Sequence, residues 1–151
     1  MLDETDKRLL AALQQNAQAT AQDLGARLNL SASQAGRRRQ KLEEAGFIQG
    51  YHARLDPARL GLAVQAFVQV QLGSHGPAQS RDFARMVATR PEITSAWTLT
   101  GESDYLLRVY CADLRALHVL IHEVLLAHQT VTRVQSQIVM DQFKQDAALP
   151  M

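Results

Sequence analysis

A run of basic side chains within residues 31–46 is the stretch of this sequence with the clearest chemistry. Arg37, Arg38, Arg39 and Lys41 place four cations within five residues. Such cations neutralise DNA phosphates, and Arg can also donate paired hydrogen bonds to guanine in the major groove. The alternative is a solvated helix face without a partner, which is common for runs of Arg and Lys. The residues on either side bear on this choice.

The flanking residues predict that the basic run is one helix. Ser31 can accept a hydrogen bond from the first turn, and Gln34 follows three residues later, where a capping box places Glu or Gln. Gly46 comes just after the last turn, the usual place for a left-handed C-cap. A short helix with a basic middle has the diameter and charge to enter a DNA major groove.

Two further helices must position this one. Leucines at helical spacing predict a first helix over residues 4–15, and Thr20 starts a second helix that ends near Asn29. Each helix is too short to be stable alone, so the three must share a core. Two helices joined by a tight turn, the second of them basic, form a helix-turn-helix. Residues 47–55 then predict two short strands that turn near Gln49-Gly50, which would make a wing.

The remaining residues predict a second domain built on one sheet. Alternation of apolar and polar residues predicts strands, and apolar residues at helical spacing predict helices. The predicted strands cover residues 63–72, 93–100, 104–111 and 131–142, and the predicted helices cover residues 78–89 and 114–125. This βαββαβ order is ferredoxin-like, with both helices on one face of an antiparallel sheet. The fold class is therefore α+β, with domains at residues 1–56 and 63–151 and a linker at residues 57–62.

Several of these residues carry a resemblance to a known family. The motifs LDETDKRLLAALQQN, Leu30-Ser31, Arg37-Arg38, Gly46-Phe47-Ile48-Gln49-Gly50-Tyr51 and Leu60-Gly61 resemble the N-terminal domain of the leucine-responsive regulatory protein (Lrp/AsnC) family. TGESDYLLRV at residues 100–109 and QIVM at residues 137–140 are similar to the effector-binding, oligomerising domain of that family. The resemblance covers nearly the whole chain. It implies a transcriptional regulator that binds specific DNA sequences through a winged helix-turn-helix.

The resemblance also implies which residues contact double-stranded DNA. Carried onto this sequence, they are Ser33, Gln34, Arg37 and Arg38 towards the DNA, with Gln40 and Lys41 on the phosphate side. Two positions within this helix depart from the family pattern. Arg39 stands where the family has an inward-pointing apolar residue, so its charged end must reach solvent or a partner such as Glu43. Gly36 stands where the family has a larger residue.

A small-molecule effector, with an amino acid favoured, is the second partner that the resemblance implies. Its pocket would use Gly101, Glu102, Asp104 and Tyr105, with Ser136 from the last strand. Asp104 would meet the ammonium group, and the backbone N–H groups around Gly101 would meet the carboxylate. The alternative is that Gly101 only makes the turn and Asp104 only caps it. Homodimers that assemble into octamers or similar discs are also implied.

Other classes of site find little support in the sequence. His118 and His122 have the spacing of two zinc ligands, but no third ligand is placed, so we expect no metal and no cofactor. No nucleophile motif or phosphate loop indicates an enzyme. Cys111, the single cysteine, is expected to be a small buried residue. Because the net charge is only +1, any binding to phosphate must come from a local patch of basic residues. Without a signal sequence or long apolar run, we expect a cytoplasmic protein with no membrane contact.

The main hypothesis is therefore a DNA-binding transcriptional regulator whose assembly or DNA affinity responds to a small effector. Two alternatives stay open. One is an architectural protein that wraps DNA without an effector and with weak sequence preference. The other is a small-molecule-binding or metabolic module that uses only the ferredoxin-like domain.

Overall fold

A computed structural model describes residues 2–73 and 76–150, and these residues form two compact units. The first unit runs to Arg54 and also includes the chain from Phe143 onward, and the second unit is Leu55–Gln142. The predicted second domain extended to residue 151. The structure instead groups the end of the chain with the first unit, for reasons that lie in the contacts of Gln14 and Arg54 described below.

Three short helices form the first unit. They are α1 (Glu4–Gln15), α2 (Ala21–Leu28) and α3 (Ala32–Glu44), and each begins with a capping box. Between α2 and α3, Asn29 adopts a left-handed conformation (φ 56°, ψ 46°) and the Leu30 N–H donates to the Gly25 carbonyl. A Cβ at Gly25 would lie 2.7 Å from the Leu30 oxygen, so this turn requires glycine there. The predicted helix-turn-helix is confirmed.

The three helices bury one shared apolar cluster. Its members are Leu9, Ala12, Leu13, Ala19, Leu24, Leu28, Ala35 and Leu42. Leu10 and Leu30 pack against this cluster but are only partly buried. Because α2 has just eight residues, its stability depends on this packing more than on helix propensity.

The predicted wing strands are wrong for this chain: residues 47–56 contain no strand. A two-residue hairpin turn of the favoured type needs a positive φ, and Gly50 is not among the described residues that have one. An isolated two-stranded hairpin is also marginal in water. Side chains of the segment instead contact other elements, with Tyr51 bonded to Glu43 of α3 and Arg54 bonded to Asp146.

The second unit is a four-stranded antiparallel sheet with its helices on one face, as predicted for a ferredoxin-like domain. The strands are β1 (Val64–Leu72), β2 (Ile93–Thr98), β3 (Tyr105–Cys111) and β4 (Val131–Ile138), in the order β2-β3-β1-β4. The helices are α4 (Pro77–Ala88) and α5 (Leu114–Val119), and a 3-10 turn covers Ala58–Leu60. β4 ends at Ile138, not at residue 142, and its last partner on β1 is Ala66.

The single helix predicted over residues 114–125 is α-helical only in its first half. Leu120–Leu125 form a π-helical turn, in which the Leu126 N–H donates to the Ile121 carbonyl at 2.8 Å. Leu120 and Leu125 are both buried although they are five residues apart. A π-turn accommodates this spacing, since it adds one residue to each turn of the helix.

The two faces of the sheet differ in burial. Ala66, Val68 and Val70 on β1 are 0% exposed and pack in the cluster that contains Phe83 and Leu107. The alternate residues of β1 face the other way and are half-buried: Gln65, Phe67, Gln69 and Gln71. We call this second side the open face. Any ligand that binds the sheet directly must approach from the open face.

Leu107→Ala tests the assignment of the core. Leu107 is fully buried, so removing its side chain should lower the free energy of unfolding by about 2–5 kcal/mol. Leu60→Ala is the matched control, because Leu60 is 60% exposed and its loss should change that free energy by less than about 0.5 kcal/mol. Urea unfolding of both variants measures the difference, and equal values would contradict this packing.

Candidate functional site

The predicted DNA-contacting residues of α3 lie mostly on its exposed side. Ser33, Gln34, Arg37, Gln40 and Lys41 are exposed, whereas Ala35 and Leu42 of the same helix are buried in the core. No hydrogen bond or ion pair of the Arg37 or Lys41 side chain forms within the described part of the chain. These two cations are therefore available to an external anion.

Arg38 is held inside the unit. Its Nη1 atom lies 2.6 Å from Asp3 Oδ2 and 2.6 Å from Asp6 Oδ1, and the Asp6 side chain is only 18% exposed. The pKa of Asp3 is lowered, first because its carboxylate accepts the Asp6 backbone N–H and then because of Arg38. The guanidinium therefore ties the start of α1 to the middle of α3. This contact competes with the predicted role of Arg38 at DNA.

The polar residues of α3 are also engaged locally. Gln34 Oε1 accepts from the Ser31 N–H at 2.9 Å, which completes the predicted capping box. Gln40 Nε2 donates to Glu44 Oε1 at 2.8 Å, and the Ser33 hydroxyl lies 3.1 Å from that of Ser31. A base contact by either glutamine would replace one of these bonds.

Arg39 and Gly36, the two residues of α3 that depart from the family pattern, differ in their contacts. Arg39 Nε pairs with Glu43 Oε1 at 3.0 Å, as the spacing predicted, and its guanidinium lies 4.7 Å from the centre of the Tyr51 ring. This ion pair lowers the pKa of the Glu43 carboxyl and raises that of Arg39. A Cβ on Gly36 would lie 3.7 Å from the Ala21 Cβ, an ordinary contact. Arg39 thus joins α3 to the segment that follows it.

A polar pocket lies at the open face of the sheet. Side chains of β1, β4 and the loop between β2 and β3 form its walls. They are Gln69, Gln71, Leu99, Thr100, Glu102, Ser103, Arg133 and Gln135. The pocket contains one acidic and one basic side chain, and amide and hydroxyl groups make up most of the rest. Of the predicted effector-binding residues, it includes Glu102.

Asp104 has a structural contact beside this pocket. Its carboxylate accepts the Leu72 N–H at 2.7 Å, its own N–H donates to the Val70 carbonyl at 3.0 Å, and its carbonyl accepts the Leu99 N–H at 2.8 Å. Gly101 has a φ of 112°, which favours glycine at this turn. These contacts fit the alternative role stated for the two residues, in which they shape the loop.

Tyr105 and Ser136 lie on the opposite side of the sheet from the pocket. Their strand partners are Val70 and Val68, which point towards the helices, and the Tyr105 ring lies 4.7 Å from the Phe83 ring. The structure therefore does not bring these two residues together with Glu102. The sequence analysis missed the glutamines and Arg133. The polar residues that alternate with apolar ones in β1 and β4 were the sequence signal for these side chains. Which of them lie side by side depends on strand register, which pairs Gln71 with Arg133 and Gln69 with Gln135.

His118, His122 and Cys111, which the sequence did not assign to a functional site, lie in the second unit. The His118 and His122 rings stack with centroids 4.3 Å apart, and no group of three possible metal ligands occurs in residues 2–73 and 76–150. Cys111 is 2% exposed, and burial raises the pKa of its thiol. Within the same residues, no helix is long and apolar enough to cross a membrane.

Comparison with known proteins identifies relatives for both units. The AsnC-type helix-turn-helix domain matches residues 2–43, and the Lrp/AsnC ligand binding domain matches residues 65–149. The DNA-binding transcriptional activator DecR of Escherichia coli (strain K12) is 33% identical over 151 residues, which are 100% of this chain and 99% of that protein. The leucine-responsive regulatory protein of Rhizobium meliloti (strain 1021) is 36% identical over 143 residues, 95% of this chain and 92% of that protein.

Solved structures agree with these matches. A transcriptional regulator from Neisseria meningitidis, crystallised in complex with L-Met, superposes with a TM-score of 0.94 at 37% identity. The superposition covers 99% of this chain and 97% of that one. An AsnC family transcriptional regulator from Agrobacterium tumefaciens gives a TM-score of 0.90 at 31% identity, with 99% and 97% covered.

Arg37→Ala and Arg38→Ala should have different effects. Because Arg37 makes no side-chain hydrogen bond or ion pair within the described residues, its loss should weaken DNA binding at an unchanged melting temperature. If Arg37 contacts a phosphate, the slope of log affinity against log salt should fall by about 0.9. Arg38→Ala should lower the melting temperature, since it leaves Asp3 and Asp6 without their cation. Salt-dependent DNA titrations and thermal melts of both variants test this division, which equal melting temperatures would contradict.

Asp104→Ala should destabilise the second unit. The variant leaves the buried Leu72 N–H without its acceptor, which costs about 1–3 kcal/mol of unfolding free energy. Glu102→Ala is the control, because Glu102 is exposed in the same loop and its loss should leave stability nearly unchanged. Urea unfolding measures both, and an unaffected Asp104→Ala variant would show that the Leu72 contact contributes little.

Proposed function

This chain belongs to the Lrp/AsnC family of DNA-binding transcriptional regulators, and from that membership we propose that a free amino acid is its effector. We place the amino acid in the polar pocket at the open face of the sheet. The proposal is supported by the match to the ligand binding domain and by the L-Met complex of the Neisseria meningitidis relative. We also propose that the regulator acts in the cytoplasm, where it has access to the chromosome, and that it has no enzymatic activity.

On the DNA side, we propose that Arg37 and Lys41 make the first contacts. Both are exposed on α3, and neither has an internal partner among the described residues. A guanidinium can fork onto the O6 and N7 atoms of guanine, whereas a lysine ammonium acts as a point charge at phosphate. Ser33, Gln34 and Gln40 lie on the same exposed side and would contribute hydrogen bonds. Arg38 would support the helix from within the unit.

On the effector side, one observation carries the proposal: the pocket combines a single acid with a single base. Glu102 would accept the ammonium group of the amino acid, and Arg133 would donate to its carboxylate. This assignment replaces Asp104 as the partner of the ammonium group, because the Asp104 carboxylate already accepts the Leu72 N–H. Gln69 and Gln135 would then surround the side chain of the effector.

We propose that the open face also pairs two copies of the chain. Phe67 lies half-buried on this face, and such an apolar side chain among glutamines indicates a surface that a second copy covers. The exposed apolar residues Leu114, Val119 and Leu126 would serve a further association of dimers towards an octamer or a similar disc. An effector at the edge of the pairing face would bias that assembly, provided it binds one assembly more tightly than another.

A thermal-shift screen against the twenty amino acids tests the effector proposal. A ligand that binds only the folded chain stabilises it by about 2.7 kcal/mol at a hundredfold excess over its dissociation constant. The active amino acid should also change the DNA affinity of the wild-type chain. Glu102→Gln and Arg133→Gln should each reduce the thermal shift, and Arg85→Gln, on the exposed side of α4, should retain it.

The opposite result has a clear meaning. If no amino acid at millimolar concentration changed either the melting temperature or the DNA affinity, the amino-acid proposal would be wrong. DNA binding that persisted with weak sequence preference would then favour the architectural, effector-independent alternative.

A further inference from the structure

The end of the chain makes specific contacts with the first unit. We call residues 143–150 the C-terminal tail. The side-chain amide of Gln14, near the end of α1, bonds to both backbone polar groups of Leu149. Gln14 Oε1 accepts the Leu149 N–H at 2.6 Å, and Gln14 Nε2 donates to the Leu149 carbonyl at 3.2 Å. A glutamine used in this way binds an extended peptide much as a neighbouring β-strand would.

A second contact lies three residues earlier in the tail. Arg54 Nη2 donates to the Asp146 carbonyl at 3.1 Å and lies 3.8 Å from the Asp146 carboxylate. Arg54 Nη1 donates to Gln145 Oε1 at 3.1 Å. The tail is thus held at two points, by Gln14 of α1 and by Arg54, the last residue before the second unit.

At Leu149 and Pro150 the tail borders an apolar groove. The groove is lined by Leu2, Leu10, Leu13, Phe47, Ile48 and Tyr51, together with Leu149 and Pro150 of the tail itself. Phe47 is 52% exposed and the Leu149 side chain is 75% exposed. Burial of Leu149 therefore contributes little, and the hydrogen bonds to its backbone carry most of the contact.

We propose that this groove is a peptide-docking surface whose occupant is the C-terminal tail of the same chain. The docked tail gives the DNA-binding unit a second covalent route to the ligand domain, since the chain passes between the units at residues 54–55 and again at residues 142–143. The second route begins at β4, whose Arg133 and Gln135 line the polar pocket. Docking of the tail does not depend on the identity of the effector.

Docking leaves the DNA-contacting side of α3 uncovered. The groove is formed by α1 and by residues 47–51, and none of its lining residues belongs to α3. Gln14 and Arg54 are likewise outside α3. The tail therefore acts as a strap on the DNA-binding unit and does not compete with DNA.

Hydrogen exchange of the full-length chain tests the docking. The Leu149 amide should exchange about tenfold more slowly in the wild type than in Gln14→Ala, because two hydrogen bonds of ordinary strength hold it. Leu149→Ala should keep the exchange protection of the tail, since Gln14 binds backbone atoms only. A Leu149 amide that exchanged in the wild type as fast as in Gln14→Ala would overturn the proposal.

The source of the tail is tested by a cysteine pair at Phe47→Cys and Pro150→Cys, two groove-lining positions that make none of the hydrogen bonds of the tail. A disulfide within one chain, seen as a monomer band that migrates faster on a non-reducing gel than after reduction, supports docking in the same chain. A disulfide-linked dimer would overturn that assignment in favour of the tail of a second copy. The single natural thiol, Cys111, is 2% exposed and should not compete for the new cysteines.

Discussion

One-sided burial of the sheet decides which residues of the second unit can bind a ligand. The even-numbered residues of β1 are sealed beneath the helices, so only the odd-numbered residues and their neighbours on β3 and β4 reach the open face. This parity places Gln69 and Arg133 on the same side as Glu102. It also places Tyr105 and Ser136 on the other side, whatever their resemblance to residues of a ligand site. The loop that carries Glu102 keeps its position because Asp104 bonds to the end of β1.

A similar division operates within α3. Its exposed side holds Arg37 and Lys41. Arg38 and Arg39, which lie between them in the sequence, are paired with acidic residues of the same unit. In a helix, each residue is rotated by about 100° from the one before it, so a run of adjacent cations cannot all face the same surface. Half of the basic run therefore stabilises a small domain with a limited core, and the other half stays exposed.

The sequence predicted those features that depend on local patterns. Capping residues and apolar periodicity located the three helices, the turn at Asn29 and the order of the second domain, because these signals act over a few residues. It failed where distant contacts decide the outcome. The wing segment is shaped by Glu43 and by the tail, and the pocket by strand register. The contact between Gln14 and Leu149 joins residues 135 positions apart, and no local pattern indicates it.

Trp97 gives the molecule a built-in optical reporter. It is the single tryptophan of the chain, it is 44% exposed, and it pairs with Leu106, whose neighbour on β1 is Gln69 of the open face. It also lies two residues before Leu99 of the polar pocket. Indole fluorescence depends on the polarity around the ring, so the emission of Trp97 changes when the open face is covered and no longer exposed to water. The chain can therefore be observed in solution, unlabelled, as that face changes its surroundings.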